Sequence, residues 1–561
     1  MKTKKIVSLL LSMAVMLTSL SLLCIGASAV EVQNQIDIPD CENESEKEFG
    51  AYTYELDGVE YIVIRSAAEM NAVAAANKDG GNNYILDADL DYSGKTFERI
   101  ALHNGSFNGN GHSITGVTLT LNSGNQSKHG IGMFATTIKE DNSGATGSTL
   151  KILNLTVGAK DNEVVLRVDN TYAPYGGGED RIGTLLGYFQ GTATIIENVT
   201  VYSNVSAPDN FRAGGLIGEA RGTLVTINNC MFNGAVTVGT TVGTGKAAAG
   251  GFIGHSWSMS KVNISNSCVY GSIVCVGGGA GGLHGEPRQT TNIKNCANYA
   301  AVTGATSGGI VGDAGVEQKC DLTMENCFNA GSITGSTYAG GLAGALAYST
   351  TYYAKLSNCA NIGTVNNTTS DLYGKVTDTT ALTVTECNAY GTFENDTDAA
   401  AALTFMQTNC SYAMFGIEDN KIVVKTVPAE AKFLQYKKDA NANTMDVRVL
   451  GVINASDLSK YANVGFNVSV YEDGNDTPIA VLDPQTTTVV YKSVNANEGG
   501  TIKSYTAEAL GATYLYALEL QGIPMSGSYV FKITAFATEA EGGATVSDSV
   551  VTVTVVDGKI Q

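Results

Sequence analysis

A five-residue signature, G-G-x-x-G, returns along the chain about every 30 residues, and little else constrains the fold as tightly. It reads Gly214-Gly215-Leu216-Ile217-Gly218, Gly250-Gly251-Phe252-Ile253-Gly254, Gly281-Gly282-Leu283-His284-Gly285, Gly308-Gly309-Ile310-Val311-Gly312 and Gly340-Gly341-Leu342-Ala343-Gly344. Weaker copies precede these at Gly132-Met133-Phe134 and Gly183-Thr184-Leu185-Leu186-Gly187. A fixed period of this length is the mark of a solenoid, in which each repeat buries its apolar face only against its neighbours.

A second marker follows each clear copy: an alternating apolar stretch ending in cysteine at Cys230, Cys268, Cys296, Cys327 and Cys359, continued by Cys387. A third strand comes next, as in Gly234–Gly239, Gly331–Gly335 and Gly363–Val365. The cysteine steps are 38, 28, 31, 32 and 28 residues. Fixed motifs with variable spacing place the insertions in turns. Three short strands per repeat, with no helical period, imply a right-handed parallel β-helix whose equivalent positions stack ~4.8 Å apart. Six of the eleven cysteines then form one inward row. Neighbouring side chains in such a row point the same way, so the row reads as buried thiols, with Cys acting as a small hydrophobe. Asn229, Asn266 (offset by one), Asn295, Asn326 and Asn358 are expected to pair their amides along a turn.

The ends of a β-helix need covers, because open strand edges invite aggregation. Ser66-Ala67-Ala68-Glu69 is a capping box for a helix reaching Asn77, with Ala68, Ala72, Val73 and Ala76 as its apolar face. Asp398–Gln407, followed by a strand at Lys421–Lys425, is the expected C-terminal cap. From Ala429 the pattern changes to seven strands of period two, at 434–437, 446–453, 464–471, 488–492, 514–520, 528–537 and 550–556. That suggests a small antiparallel β-sandwich of immunoglobulin or fibronectin type. The expected division is a signal peptide at 1–29, an acidic flexible linker at 30–50, the β-helix with its caps at 51–428 and the sandwich at 429–561.

Lys2, Lys4 and Lys5, an apolar run to Ile25 and Ala27-Ser28-Ala29 make up the signal peptide. Nothing after it is long and apolar enough to span a bilayer. The expected location is therefore extracellular or non-covalently attached to the cell surface. The chain carries a net charge of −20, or −23 without the three leader lysines. So acidic a protein does not suit nucleic acid, which needs a basic patch.

Phe107-Asn108-Gly109-Asn110-Gly111-His112-Ser113-Ile114-Thr115-Gly116 resembles the F-x-G-N-G-H-x-I-x-G segment that opens many bacterial surface β-helices. Tyr84–Leu90 resembles their Y-x-L-x-x-D-I-D strand, and the G-G-[LFI]-x-G copies resemble the GLUG motif of secreted and surface proteins. The likeness covers roughly residues 51–428. It implies the fold and an extracellular setting, and spans adhesin-like and peptidase-associated proteins.

The residue after each glycine signature is Glu219, His255, Glu286, Asp313 or Ala345, and two positions on come Arg221, Trp257, Arg288, Gly315 and Ala347. If coils stack in register, these form two adjacent columns on the outer surface. Glu286 and Asp313 on neighbouring coils, with His255 beside them, could act as a paired acid and nucleophile of a glycoside hydrolase, or serve a lyase. Three stacked carboxylates could instead hold Ca²⁺; otherwise no cofactor is expected. Glu219, Arg221, Trp257 and Arg288 would suit contact with an acidic sugar. The plain alternative is a solvated turn with incidental charges. His284, inside a signature, reads as a satisfied core residue, and His112 as structural. Asp87, Asp89 and Asp91 could bind a cation or be solvated. No nucleophile elbow, zinc motif or phosphate loop is present. The leading expectation is a non-catalytic binding or adhesion protein for a polysaccharide or host-matrix glycan. A polysaccharide lyase or hydrolase, and a structural surface-layer component, are the alternatives.

Overall fold

The structure is a computed structural model that describes Glu31–Val32, Ile38 and residues 52–560 apart from short segments, 137–147 being the longest. The expected signal peptide, Cys24 and Cys41 lie outside the described residues. The chain divides into two units, one of Gln35–Cys410 with Phe415–Val423, the other of 1–34, 411–414 and Val424–Gln561. Among the described residues no helix is long and apolar enough to cross a membrane.

The larger unit is a parallel β-helix. Strands one repeat apart pair in parallel from Thr149 to Thr385, as in Leu224–Asn228 with Lys261–Ser265, then Gln289–Lys294, Cys320–Glu325, Ala354–Ser357 and Leu382–Thr385. Each coil holds four strands, not three, because the glycine signature is itself two strands meeting at a bend. In one coil these are Phe211–Gly214 and Ile217–Ala220, with Gly215 and Leu216 between. The second halves form their own seven-stranded parallel sheet, from Leu186–Phe189 to Tyr373–Val376. The paired glycines are needed because bends pack backbone against backbone. A Cβ on Gly251 would lie 2.2 Å from the Gly282 carbonyl oxygen, and one on Gly282 would lie 1.9 Å from that of Gly309. Leu216, Phe252, Leu283, Ile310 and Leu342 at the bends are fully buried.

The turn before the third strand is an asparagine ladder. Asn154, Asn198, Asn229, Asn266, Asn295, Asn326 and Asn358 all have φ of 50–56°, the left-handed region that Asn tolerates. Amides of the ladder donate to the rung before, as from Asn198 to Asn154 at 2.9 Å, Asn229 to Asn198 at 2.7 Å, Asn295 to Asn266 at 2.9 Å and Asn326 to Asn295 at 3.2 Å; that of Asn266 donates instead to Asn228 Oδ1 at 2.9 Å. Asn266 shares this conformation and keeps the backbone register, so the expected offset is confined to its amide, which reaches Asn228. The displaced residue is Cys268, which pairs with Met231 and Ala297 one position further on. Ser267 takes the rung, its Oγ accepting from the Cys230 amide at 3.0 Å. The inward row is therefore Cys230, Ser267, Cys296, Cys327, Cys359 and Cys387. Each of its thiols points back to the carbonyl two residues earlier, for instance Cys296 to Lys294 at 3.2 Å and Cys359 to Ser357 at 3.1 Å. All nine described cysteines are thiols, not disulfides. Burial pushes the Cys327 and Cys359 thiols well above the usual thiol range.

At the N-terminal end, α1 spans Ala67–Ala76 with Ser66 as its cap, Oγ accepting from Glu69 N at 3.2 Å. It buries Met70, Val73 and Ala74; Ala68 and Ala76 of the expected apolar face are exposed. Ile38, from the stretch expected to be a flexible linker, is buried with Tyr61, Val63 and Ile85. Near the other end α2 runs over Asp396–Asn409, burying Ala399, Ala402 and Met406, and the strands Phe415–Glu418 and Lys421–Val424 pair beyond it.

The smaller unit is an antiparallel β-sandwich. One sheet joins Glu430–Asp439, Thr444–Ile453 and Tyr514–Pro524. The other is built on Tyr461–Glu472, Ser528–Glu539 and Val551–Val556. Their inner faces share one apolar core, with Phe466 and Tyr516 in ring contact at 4.8 Å across it. The short strands Pro478–Val481, Gln485–Thr487, Ser493–Glu498 and Thr501–Thr506 carry too little alternation to be seen in sequence. Glu31–Val32 pairs in parallel with Val489–Val490.

Candidate functional site

The two strands of each glycine signature fold back at the bend, so residues seven apart face each other. Two contacts fix this: Arg212 with Glu219, and the Gly279 amide with Glu286 Oε1 at 3.3 Å. On one side stands the register Arg181, Arg212, Ala248, Gly279, Thr306 and Tyr338. Facing it stand Tyr188, Glu219, His255 and Glu286, with Asp313 in register with Ala345 on the coils beyond. The column expected after the signature thus exists, but not on the outer surface. Glu219 and His255 are 0% exposed, Glu286 9% and Asp313 7%.

Burial is tolerable because each group is answered, save one. Glu219 is held by two guanidiniums, Arg212 Nη1 and Arg181 Nε at 3.0 Å. Arg181 also lies 4.9 Å over the Tyr188 ring. Asp313 Oδ1 accepts from the Gly315 amide at 3.1 Å, closing its own turn. The Glu286 carboxyl is pushed up to about 8, by burial first and by Asp313 second, so it is protonated at neutral pH. His255 is the exception: its facing position is Ala248, and neither ring nitrogen has a hydrogen-bond partner among the described residues. Burial and the surrounding Arg212, Arg288, His284 and Arg181 hold it neutral, well below the usual imidazole range. His284 stands in register with the core residues Ile253 and Val311. It is a core residue as expected, but it is not satisfied, since both nitrogens lack partners among the described residues and burial lowers it to about 3.

Outside this buried column lies the second one. Backbone amides keep it in register past the strand ends: Arg221 N donates to Phe189 O, Trp257 N to Ala220 O and Arg288 N to the Ser256 side-chain Oγ, each 2.9 Å. Arg221, Trp257 and Arg288 are half-buried. The Trp257 ring takes the Arg221 guanidinium at 4.4 Å and that of Arg288 at 5.4 Å, from the coils on either side, with Arg212 at 5.9 Å. Arg221 Nη1 also donates to Tyr188 Oη at 3.3 Å. Sequence reading found Arg221, Trp257 and Arg288 but missed Arg181, Arg212 and Tyr188. The signal was present, since both arginines stand two residues before a signature glycine, but it needs the bend to become a contact.

Among the described residues no group of three or more His, Cys, Asp and Glu is arranged to hold a metal ion. Glu219 and Glu286 are separated by the His255 coil, and the first is neutralised by arginine. The three early aspartates each have a partner in the fold: Asp87 binds Arg65 at 2.8 Å, Asp89 accepts from the Ser113 amide at 2.7 Å, and Asp91 closes a turn by accepting from the Ser93 amide at 2.8 Å. His112 lies 3.5 Å from Asp89, a fold contact as expected.

No protein-family model matches the chain, and no curated protein does. Among solved structures, a candidate immunoglobulin A1 protease from Bacteroides ovatus is similar over 65% of this chain and 92% of its own, at 15% identity and a TM-score of 0.36. A likeness of that degree transfers no site residue.

Proposed function

We propose that the protein is an extracellular, non-catalytic glycan-binding protein of the GLUG-bearing surface type, with the β-helix wall at Arg221, Trp257 and Arg288 as its contact site. The signal-like leader supports the setting, and the sandwich serves as an immunoglobulin- or fibronectin-like accessory module. The observation that carries the reading is the half-buried Arg–Trp–Arg row, anchored by backbone bonds and aligned along the coil axis. Lined-up donors on a rigid scaffold lose little entropy on binding.

A hydrolase at Glu286 and Asp313 is less well supported. A raised carboxyl beside a second one is the right chemistry for acid catalysis. Yet both are almost wholly enclosed, and each already accepts a backbone N–H. A glycan screen of the purified protein, scoring binding and product release in the same wells, separates these readings. Binding without products is expected. Reducing ends or unsaturated products that vanish in Glu286→Gln would overturn the non-catalytic reading.

A further inference from the structure

We infer that the C-terminal end of the β-helix is a dimer surface, on which a second copy of this chain seats the same end, its strand Leu382–Thr385 antiparallel to this one. The surface uses no residue of the Arg–Trp row and does not depend on the glycan reading. Three observations carry it.

The first is that the lumen is open at this end. Met324 and Leu356 are 0% and 1% exposed, whereas Val384, in register with them on the last coil, is 38% exposed. Val365, Tyr373, Leu382 and Cys387 are likewise only half-buried, although their counterparts one coil earlier are enclosed. The expected cap does not cover them. Ala399, Ala402 and Met406 of α2 stand outside the apolar cluster that fills the lumen, whereas Met70, Val73 and Ala74 of α1 belong to it at the other end.

The second is unpaired backbone. In the last coil Val365–Asn366, Tyr373–Val376, Leu382–Thr385 and Asn388–Ala389 each pair with the coil before. Among the described residues no strand takes their far edges. Exposed edges are ordinarily guarded by charge or proline, because they accept any strand offered to them. These four strands hold no proline and one charge, Lys375. That lysine is turned back to the coil before, donating to Tyr338 Oη at 3.3 Å and lying 5.0 Å from the centre of its ring.

The third is what fits. A helix would plug the lumen and leave the edges unpaired. A lone strand would pair one edge and leave the lumen open. The end of another β-helix supplies both. The N-terminal end of this chain is closed by α1 and by the antiparallel hairpin of Thr53–Leu56 with Val59–Ile64, which leaves the same end of a second copy. A two-fold axis across the coil axis sets the facing strands antiparallel and closes the pair, so assembly stops at two. On a chain of net charge −20, the uncharged Leu382–Thr385 is where two copies meet without repulsion.

The test is sedimentation velocity of the full chain from about 1 to 100 µM, a span that covers weak and moderate dimers. Wild type is compared with Val384→Asp and with Thr383→Lys/Thr385→Lys. Thermal midpoints confirm that each variant is folded. The double lysine variant leaves the lumen-facing side chains in place and carries the test should Val384→Asp fail to fold. Expected is a dimer that fills with concentration and dissociates at least tenfold more readily in both variants. Alkylation of Cys387, at the same end, should be fast in dilute protein, slow as wild type is concentrated, and stay fast in the variants. A monomer at every concentration would overturn the inference. So would a dimer that the variants leave unchanged, or one in which Cys387 stays reactive. Oligomers that keep growing with concentration would overturn it as well, because a two-fold pair closes.

Discussion

Glu286→Gln isolates the energetic oddity of the buried column. A carboxyl whose value rises from 4.5 in the unfolded chain to about 8 in the fold costs stability at any pH where the unfolded chain would ionise it. The sign follows from the raised value: its stability contribution is complete below pH 4.5, declines as pH rises, and is gone above about 8. The shift of about 3.5 units corresponds to an upper bound of about 5 kcal/mol across that window, and to roughly 3 kcal/mol by pH 7. Glutamine has nearly the same shape, keeps an acceptor for the Gly279 amide and never ionises. Urea unfolding of both proteins at pH 5, 7 and 9 therefore measures the term directly. The two midpoints should differ least at pH 5, and the variant should become progressively the more stable by pH 9. Parallel pH profiles would show that Glu286 is solvated in the fold, and the enclosed-column account would fail.

His255 acts in the opposite window. Its value is lowered, so the stability it carries is present above 6.5 and lost as pH falls, and His255→Gln should flatten acid unfolding followed by tryptophan fluorescence. Removing the partner of two guanidiniums in Glu219→Ala should cost about 3–5 kcal/mol by urea midpoint, because Arg212 stays buried. Gly251→Ala drives a methyl into a carbonyl that belongs to the next coil, so a loss of roughly 3 kcal/mol or more is expected in the same assay, with soluble yield falling accordingly. In alkylation of the native protein, Cys296, Cys327 and Cys359 should stay unmodified until denaturant is added, while the half-buried Cys268 and Cys387 react first.

Repetition made the β-helix readable without coordinates. A solenoid turns a one-dimensional period into a three-dimensional neighbour list, so aligning the signatures placed Arg221 beside Trp257 and Trp257 beside Arg288. The same logic lined up Glu219, His255 and Glu286, and gave the asparagine ladder. Its resolution is one residue, and there it slipped. Steps of 38 and 28 residues hide a rung occupied by Ser267, because both cysteine and serine fit a small inward position and only backbone pairing tells which one fills it. Depth was the other quantity beyond its reach. The sequence by itself determined which side chains share a column, since periodicity fixes order along the axis. Whether a column faces water depends on how the chain folds back between repeats. The bend at Gly215–Leu216 brings Arg212 onto Glu219 across seven residues and closes the space that held the expected surface carboxylates. That approach is made by backbone meeting backbone, and only the tertiary structure could decide it.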